Sequence, residues 1–469
     1  MADTEYTFEE IRNHRTSSSA WVAIHGVVYD ITKFLPNHPG GAIIRTSFGR
    51  DATVLYETHH NLSNMDRVQK TLAKFKIGMV KDYVPIARFD SPFAVAMLER
   101  CRAVIKGKPL RDSFYVYSSL LVYYSFLISA IAYSFYTAGQ SYFLALFVGL
   151  MMAMGHLVGH AGNHWSLSSS DALNRFLSLT CTNLWGLREK NWEFSHLISH
   201  HCYNYTDRDY IMEQHVPLQY FRVRECDAWR PIHAYQPIIY LFTPLTGFIM
   251  GALRLDCAPW VLLSPLLAPL RRNQNSPMPA PQFFAAGSNI DIEQLQEHED
   301  GVGPYNYVVF KDFVDDVVSC IMSNIIWMPL FFYVSYHQGV LHAVLFNSIC
   351  FGMQAMMATR MLLTQHLCED IKLPKSYGPT DDWYAKQVEA STSIQKTPFI
   401  MWLTYAVSFQ TEHHMFPCLN PQLMLEVQPI VQQTAKEFNI QYNYFSSNQA
   451  AYASVYKQFV KLSVKPEGK

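Results

Sequence analysis

The chain has 469 residues, with 37 Lys and Arg against 38 Asp and Glu, a formal net charge of −1. That balance gives no electrostatic footprint for nucleic acid, and the length asks for more than one domain. Apolar residues make up 49% and aromatics 14% of the sequence, and long apolar runs make that composition the signature of a membrane protein.

The start, Met1 to Arg15, is polar and charged, which predicts no secretory signal peptide. Residues 4–84 read as a small soluble domain. Thr7 with Glu10 has the spacing of a capping box for a first helix. Trp21-Val22-Ala23-Ile24 and Val27-Val28-Tyr29-Asp30 flank His25-Gly26 as two strands flank a tight turn. His38-Pro39-Gly40-Gly41 follows, then Gly49-Arg50-Asp51-Ala52-Thr53 and the pair His59-His60. Pro39 and the two glycines permit a tight backbone path beside a flat group. With Trp21 and Tyr29-Asp30, these stretches resemble the cytochrome b5 family over nearly the whole domain. The resemblance implies an α+β domain that holds haem b axially by two histidines, so that its iron passes electrons and leaves no site for oxygen. Carried over, His38 is the first ligand and His60 the second, with His59 the alternative. Phe34, Leu35, Val54, Leu55 and Phe75 are the expected pocket walls.

Residues 85–113 are charged and mixed, and read as a linker and then a helix approaching the membrane. Four apolar runs, about 115–138, 141–158, 317–336 and 339–363, are near the roughly 20 residues a span needs. Gly139-Gln140 joins the first two and a very short loop joins the last two, giving two hairpins. His337 and His342 sit near that second loop and read as structural. Basic residues precede the first hairpin and its outer loop has none, which puts both hairpin ends in the cytosol. Asp171 to Trp185 reads as an interfacial helix. Trp260 to Leu270 is a shorter apolar run, and 271–305 is a polar, proline-rich cytosolic insertion. Phe399 to Phe409 is too short to cross, and Pro421 to Lys469 reads as polar amphipathic helix. The nine cysteines are scattered without a CxxC, which fits reduced thiols.

Three histidine clusters stand out: His160-Ala161-Gly162-Asn163-His164, His196-Leu197-Ile198-Ser199-His200-His201 and Gln410-Thr411-Glu412-His413-His414. Residues three or four apart share a helix face. So His160 pairs with His164, His196 with His200, and Gln410 with His414. The adjacent pairs His200-His201 and His413-His414 differ by about 100° of rotation, so neighbours can serve two metals. Imidazoles without cysteine suit iron, copper, zinc or nickel and argue against a closed structural zinc site. His366 follows the fourth apolar run and is placed to join them. All clusters must share one side to meet, so Ile232 to Leu253, with Pro237 and Pro244, is expected to lie on the interface, re-enter or pack against the cap.

These clusters resemble those of membrane fatty-acid desaturases. The haem-type domain and Gln410 at the head of the third cluster narrow the resemblance to the front-end branch. Leu363-Thr364-Gln365-His366-Leu367-Cys368-Glu369 and Asp382-Trp383-Tyr384-Ala385-Lys386-Gln387-Val388-Glu389-Ala390-Ser391 agree. The resemblance implies an N-terminal α+β cytochrome b5-like haem domain fused to an all-α integral membrane desaturase domain over 114–469. That domain has four transmembrane helices as two hairpins, interfacial helices and a cytosolic helical cap. It implies two non-haem irons held by His160, His164, His196, His200, His201, His366, His413 and His414, with Gln410 in the ninth position. His156, also four residues from His160, is set aside as lying deeper in the span. O2 is the co-substrate, and electrons come from NAD(P)H through cytochrome b5 reductase. The substrate is a fatty-acyl lipid or acyl-CoA, desaturated between an existing double bond and the carboxyl end at the endoplasmic reticulum. A long-chain-base desaturase, an acyl hydroxylase and an electron carrier with an inactive desaturase domain are the other readings. Ala161 stands where the family usually has Asp, so another carboxylate must orient a ligand; Glu193, Asp207, Glu389 and Glu412 are the candidates. An apolar tunnel is expected, with Trp185, Trp192 and Phe409 among its lining.

Overall fold

The computed structural model describes residues 3–181, 193–209, 221–242, 245, 321–322, 324–405 and 407–466. The N-terminal unit is built on five strands, β1 (Glu5–Tyr6), β2 (Arg15–Thr16), β3 (Ser19–Ile24), β4 (Val27–Asp30) and β5 (Lys76–Val80), in the order β1-β5-β4-β3-β2. The β1–β5 pair is parallel and the other three are antiparallel. Helix α1 (Phe8–Arg12) opens with the expected capping box. Glu10 N donates to Thr7 Oγ1 at 3.2 Å, and Thr7 N donates to Glu10 Oε2 at 2.7 Å. The β3–β4 turn places His25 and Gly26 at φ 50° and 74°, the positive pair a two-residue hairpin needs. Helix α2 (Thr53–His60) starts where Asp51 Oδ1 accepts from Thr53 N and Oγ1 at 2.9 and 2.6 Å. It ends on the histidine pair. Helix α3 is Met65–Leu72.

The stretch read as a linker and then a helix holds helix α4 (Pro92–Ile105), which packs into the fold. Ser91 caps it and Pro92 fills its first turn. Phe93, Ala94, Met97, Leu98, Cys101 and Ile105 make one buried stripe. It packs into a core shared with Leu423, Met424, Val427, Val431 and Ala435 of a C-terminal helix.

Among the described residues, three helices are long and apolar enough to cross a membrane: α5 (Phe114–Tyr136), α6 (Tyr142–Asn163) and, after α7 (Asp171–Cys181) and α8 (Trp327–Gln338), α9 (Val340–His366). Leu121, Ile128 and Phe143 are exposed on this bundle. Of the run 317–336, residues 321–322 and 324–336 are described, and from Trp327 they form α8 beside α9. The expected fourth span therefore lies partly outside the described residues, as do Trp260 to Leu270, residues 271–305, Trp185 and Trp192. His342 Nε2 donates to Gly139 O at 2.8 Å, tying the two hairpin loops together. The described part of the Ile232 to Leu253 stretch packs on the cap. Its Gln236 Nε2 donates to Phe459 O at 2.8 Å, while Tyr235, Ile238 and Leu241 face outward.

The cap consists of α10 (Trp383–Glu389), β6 (Ser393–Ile394), α11 (Pro398–Leu403), α12 (Gln410–Met415), α13 (Pro421–Glu437), β7 (Tyr444–Phe445) and α14 (Asn448–Ser463). Strands β6 and β7 pair in parallel. Phe409 is buried in the cap core. Every cysteine among the described residues is a free thiol.

Candidate metal and haem sites

Helix α6 runs unbroken through the first cluster, so His160 lies on its last turn and His164 caps it. The second cluster is not α-helical. Residues Glu193–His200 form a π-helix, whose bonds run from i to i+5. That period brings His201, not His200, onto the side of His196, so the expected His196–His200 pairing is corrected. The third cluster is α12, all six residues of which are buried.

The imidazoles converge in two groups. His160, His164, His196, His201 and His413 form one; His200, His366 and His414 form the other. Within each, the potential ligand atoms lie within 4.8 Å of one another. His160 Nε2 is 2.9 Å and His201 Nε2 3.1 Å from His196 Nε2. Gln410 Nε2 is 3.2 Å from His366 Nε2, and a half-turn of the amide presents Oε1 there instead. The adjacent pairs His200-His201 and His413-His414 do split between the groups. His156 instead bonds Gln354 across to α9.

This arrangement fits two metal ions. Metal–imidazole bonds of about 2.1 Å put neighbouring ligand nitrogens about 3 Å apart, the spacing seen. His413 Nε2 and His414 Nε2 are buried without a hydrogen-bond partner, a costly state unless an ion takes the lone pair. Burial first, then the neighbouring imidazoles, holds His196, His201, His413 and His414 well below the usual histidine range. They are therefore neutral, the ligating form.

The outer partners were not legible in the sequence. His200 Nδ1 donates to Asp209 Oδ2 at 2.8 Å, His366 Nδ1 to Ala390 O at 2.9 Å, and His414 Nδ1 to Gln387 Oε1 at 3.0 Å. Each bond fixes the tautomer that leaves Nε2 for the metal. Asp209 thus supplies the orienting carboxylate, and it was not among the candidates. Asp207 instead meets Arg224 at 2.7 Å, Glu389 meets Lys372 at 2.6 Å, and Glu193 pairs with Arg45. Glu412 accepts from Tyr442 and Ser393 hydroxyls at 2.7 and 3.0 Å.

In the N-terminal unit the rings of His38 and His60 stand with centroids 6.1 Å apart and planes 70° to each other. Two imidazoles on opposite sides of one ion, each bonded at about 2 Å, have centres roughly 6 Å apart. Their Nδ1 atoms donate to Gly41 O at 3.2 Å and Tyr56 O at 2.9 Å, leaving both Nε2 atoms for a metal. Burial pushes both rings down to about 4. A haem iron fits between them. Gly40 makes room, since a Cβ there would lie 2.6 Å from His38 Cε1. Phe34, Leu35 and Phe75, read as pocket walls, pack against this unit's core. Val54 and Leu55 do not: they turn the other way, into the core shared with the cap.

Residues 7–81 match the family described as Cytochrome b5-like Heme/Steroid binding domain. Residues 139–446 match Fatty acid desaturase. The chain is 25% identical to the Acyl-lipid (8-3)-desaturase of Physcomitrium patens, over 93% of this chain and 87% of that protein. It is 24% identical to the Probable Delta(5) fatty acid desaturase C of Dictyostelium discoideum, over 96% and 93%. It is 23% identical to the Delta(8)-fatty-acid desaturase 1 of Arabidopsis thaliana, over 94% and 89%. With two groups of histidines fit for an iron pair and a fused haem domain, this chain belongs to the fatty acid desaturase family.

Proposed function

We propose that this enzyme is a front-end desaturase, which inserts a double bond on the carboxyl side of an existing one in an unsaturated fatty-acyl chain. The observation that carries it is the convergence of imidazoles from three distant segments and α9 into two abutting groups. The fused haem domain and the names of the full-length relatives give the front-end assignment. Saturated methylenes have no acidic proton and no leaving group, so acid–base chemistry alone cannot open them. The iron pair, when bound, supplies the oxidising power with O2. O2 takes four electrons and four protons to become two waters. Two electrons and two protons leave the acyl chain as its two C–H bonds break, two electrons arrive through the haem domain, drawn from NAD(P)H by cytochrome b5 reductase, and the other two protons come from solvent.

The residues divide the work. His160, His164, His196, His201 and His413 are assigned to one iron, and His200, His366, His414 and Gln410 to the other. Asp209, Gln387 and the Ala390 carbonyl hold rings in the ligating tautomer. His38 and His60 are assigned to the haem iron, supported by the 6.1 Å separation of their rings. The apolar helices place the chemistry beside a lipid phase, and we assign the endoplasmic reticulum membrane with both metal sites on the cytosolic side.

Expression in yeast fed a panel of polyunsaturated acids tests the reading. The fed acids should gain one double bond on the carboxyl side, located by mass spectrometry, and His200→Ala should abolish it. Products without a new double bond, or a hydroxylated product, would refute it.

A further inference from the structure

The haem domain is seated on the metal-site domain, and the seat is centred on Asn61. This residue follows His60 and is 2% exposed. Its Nδ2 donates to the Met415 carbonyl at 2.8 Å and to Tyr384 Oη at 3.3 Å. Its own carbonyl accepts from Arg102 Nε at 2.7 Å. Met415 ends α12, directly after His414. Its carbonyl is one of those a helix end leaves without a partner inside the helix. The path from the His60 ring to the His414 ring therefore crosses one hydrogen bond and is otherwise covalent.

Water is kept off this contact. Val54 and Leu55 on α2 pack into the same core as Ile198, Cys202, Trp383, Tyr384, Met415 and Phe416. Tyr384 Oη also donates to Glu57 O at 3.4 Å. A second contact holds the other lip of the haem domain. Ala42 N donates to Asp171 Oδ2 at 3.0 Å, Arg45 pairs with Glu193 of the π-helix, and Ile43 packs with Trp165 and Leu197. The helix that carries the assigned haem ligand His60 is thus fixed against the helix that carries three assigned iron ligands, Gln410, His413 and His414.

Resting on the reading given above, we propose that Asn61 is a positioning residue for electron transfer. Its bond to the Met415 carbonyl makes this docked arrangement the one in which the haem discharges to the iron pair. Each passage oxidises the haem by one electron and reduces the iron pair by one, no proton passes through Asn61, and two passages serve each double bond. A tethered donor already enjoys a high effective concentration. What the Asn61 contact adds is one defined short route in place of many loose encounters.

The test uses the full-length enzyme carrying haem and iron, as parent and as Asn61→Leu. The haem spectrum and midpoint potential should not change. Re-oxidation of pre-reduced haem by O2 and substrate should slow about tenfold or more, the population shift that losing a buried hydrogen bond brings. Product formed when a small-molecule mediator reduces the irons directly should stay at the parent level. Amide exchange of the metal-free chain should rise across Thr53 to Asn61. Haem re-oxidation within about twofold of the parent would overturn the proposal. So would an equal loss of mediator-driven product, because a simple helix cap would then account for everything. If Asn61→Leu does not fold, Asn61→Asp, which keeps the size of the side chain but replaces the Nδ2 donor to the Met415 carbonyl by an acceptor, is judged by the same two criteria. A parent that makes no unsaturated product from either electron source would instead bring down the assigned function.

Discussion

His201 and His414 stack with ring centroids 4.4 Å apart and 17° between their planes, although each belongs to a different group of converging imidazoles. They form the seam between the two groups. His200 lies on the far side of that seam, 4.9 Å from His366 and 4.8 Å from His414. Two ions held here are neighbours that share a wall of imidazole rather than a single crowded site.

The groups are unequal, and that predicts unequal losses. His201→Ala leaves four imidazoles in its group; His414→Ala leaves two, with Gln410. The first variant should therefore keep close to two irons per chain, and the second should fall to about one. Both should lose desaturation. Elemental analysis of purified protein, normalised to haem, checks this. Equal iron in the two variants would contradict the division.

Asp209 gives a second prediction. It is 0% exposed and takes His200 Nδ1 at 2.8 Å and Tyr205 N at 2.7 Å on the same oxygen. Asp209→Asn keeps the shape but replaces the charged acceptor that holds the His200 ring in its ligating tautomer. Iron affinity of that group should fall about 10–100-fold. Asp207→Asn, whose partners Arg224 and Lys375 lie away from the histidines, should leave affinity unchanged. Titration with a competing chelator reads both.

The contrast between these two aspartates shows how far the sequence reached. Spacing alone put His160 with His164 and Gln410 with His414, because those segments are α-helical. It separated His413 from His414 for the same reason. It misplaced His196, because a π-turn has no residue signature and arises only when the surrounding packing favours it. Asp209, Gln387 and the Ala390 carbonyl were out of reach because each reaches its histidine through the fold, from 9, 27 and 24 positions away. The haem domain was legible almost element by element, since its turns and caps are local. Its seat on the cap was not: Asn61 reads as an ordinary residue past a helix end until Met415, 354 positions away, is brought to it.

Helix crossing gives a third prediction. A Cβ on Gly149 of α6 would lie 2.4 Å from the Cys350 carbonyl oxygen and 2.7 Å from Met353 Cβ. Neither atom is the loose end of a side chain, so α6 and α9 must part. Gly149→Ala should cost about 1–3 kcal/mol, the range for overpacking a tight core. Because α6 carries His160 and α9 carries His366, iron occupancy should fall with it. Thermal unfolding in detergent and iron content, measured together, check the link. Alanine at Gly107, which has no atom within 4 Å of a built Cβ but sits at φ +78°, should strain only its own loop and spare the iron.

The fourth prediction concerns pH and the helix that ends on His60. His25 Nε2 bonds Glu57 Oε1 at 2.7 Å, and Glu57 belongs to α2. The hydrogen bond to Glu57 raises the His25 pKa above 6.5; burial opposes it, and the charges of Glu57, Asp51 and Asp90 add to it. A histidine raised on folding contributes its full stabilisation below its unfolded pKa and loses it as pH rises through the folded one. The His25 side chain is 48% exposed, so solvent screens the pair and its contribution stays below about 1 kcal/mol. Parent and Glu57→Gln should therefore differ in melting temperature by roughly 2–4 °C or less near pH 6. That difference should shrink toward zero above the folded pKa, as His25 goes neutral. Melting followed by the haem absorbance at a series of pH values reads the difference directly. A gap that stays constant with pH would mean Glu57 stabilises α2 by some route other than the charge on His25.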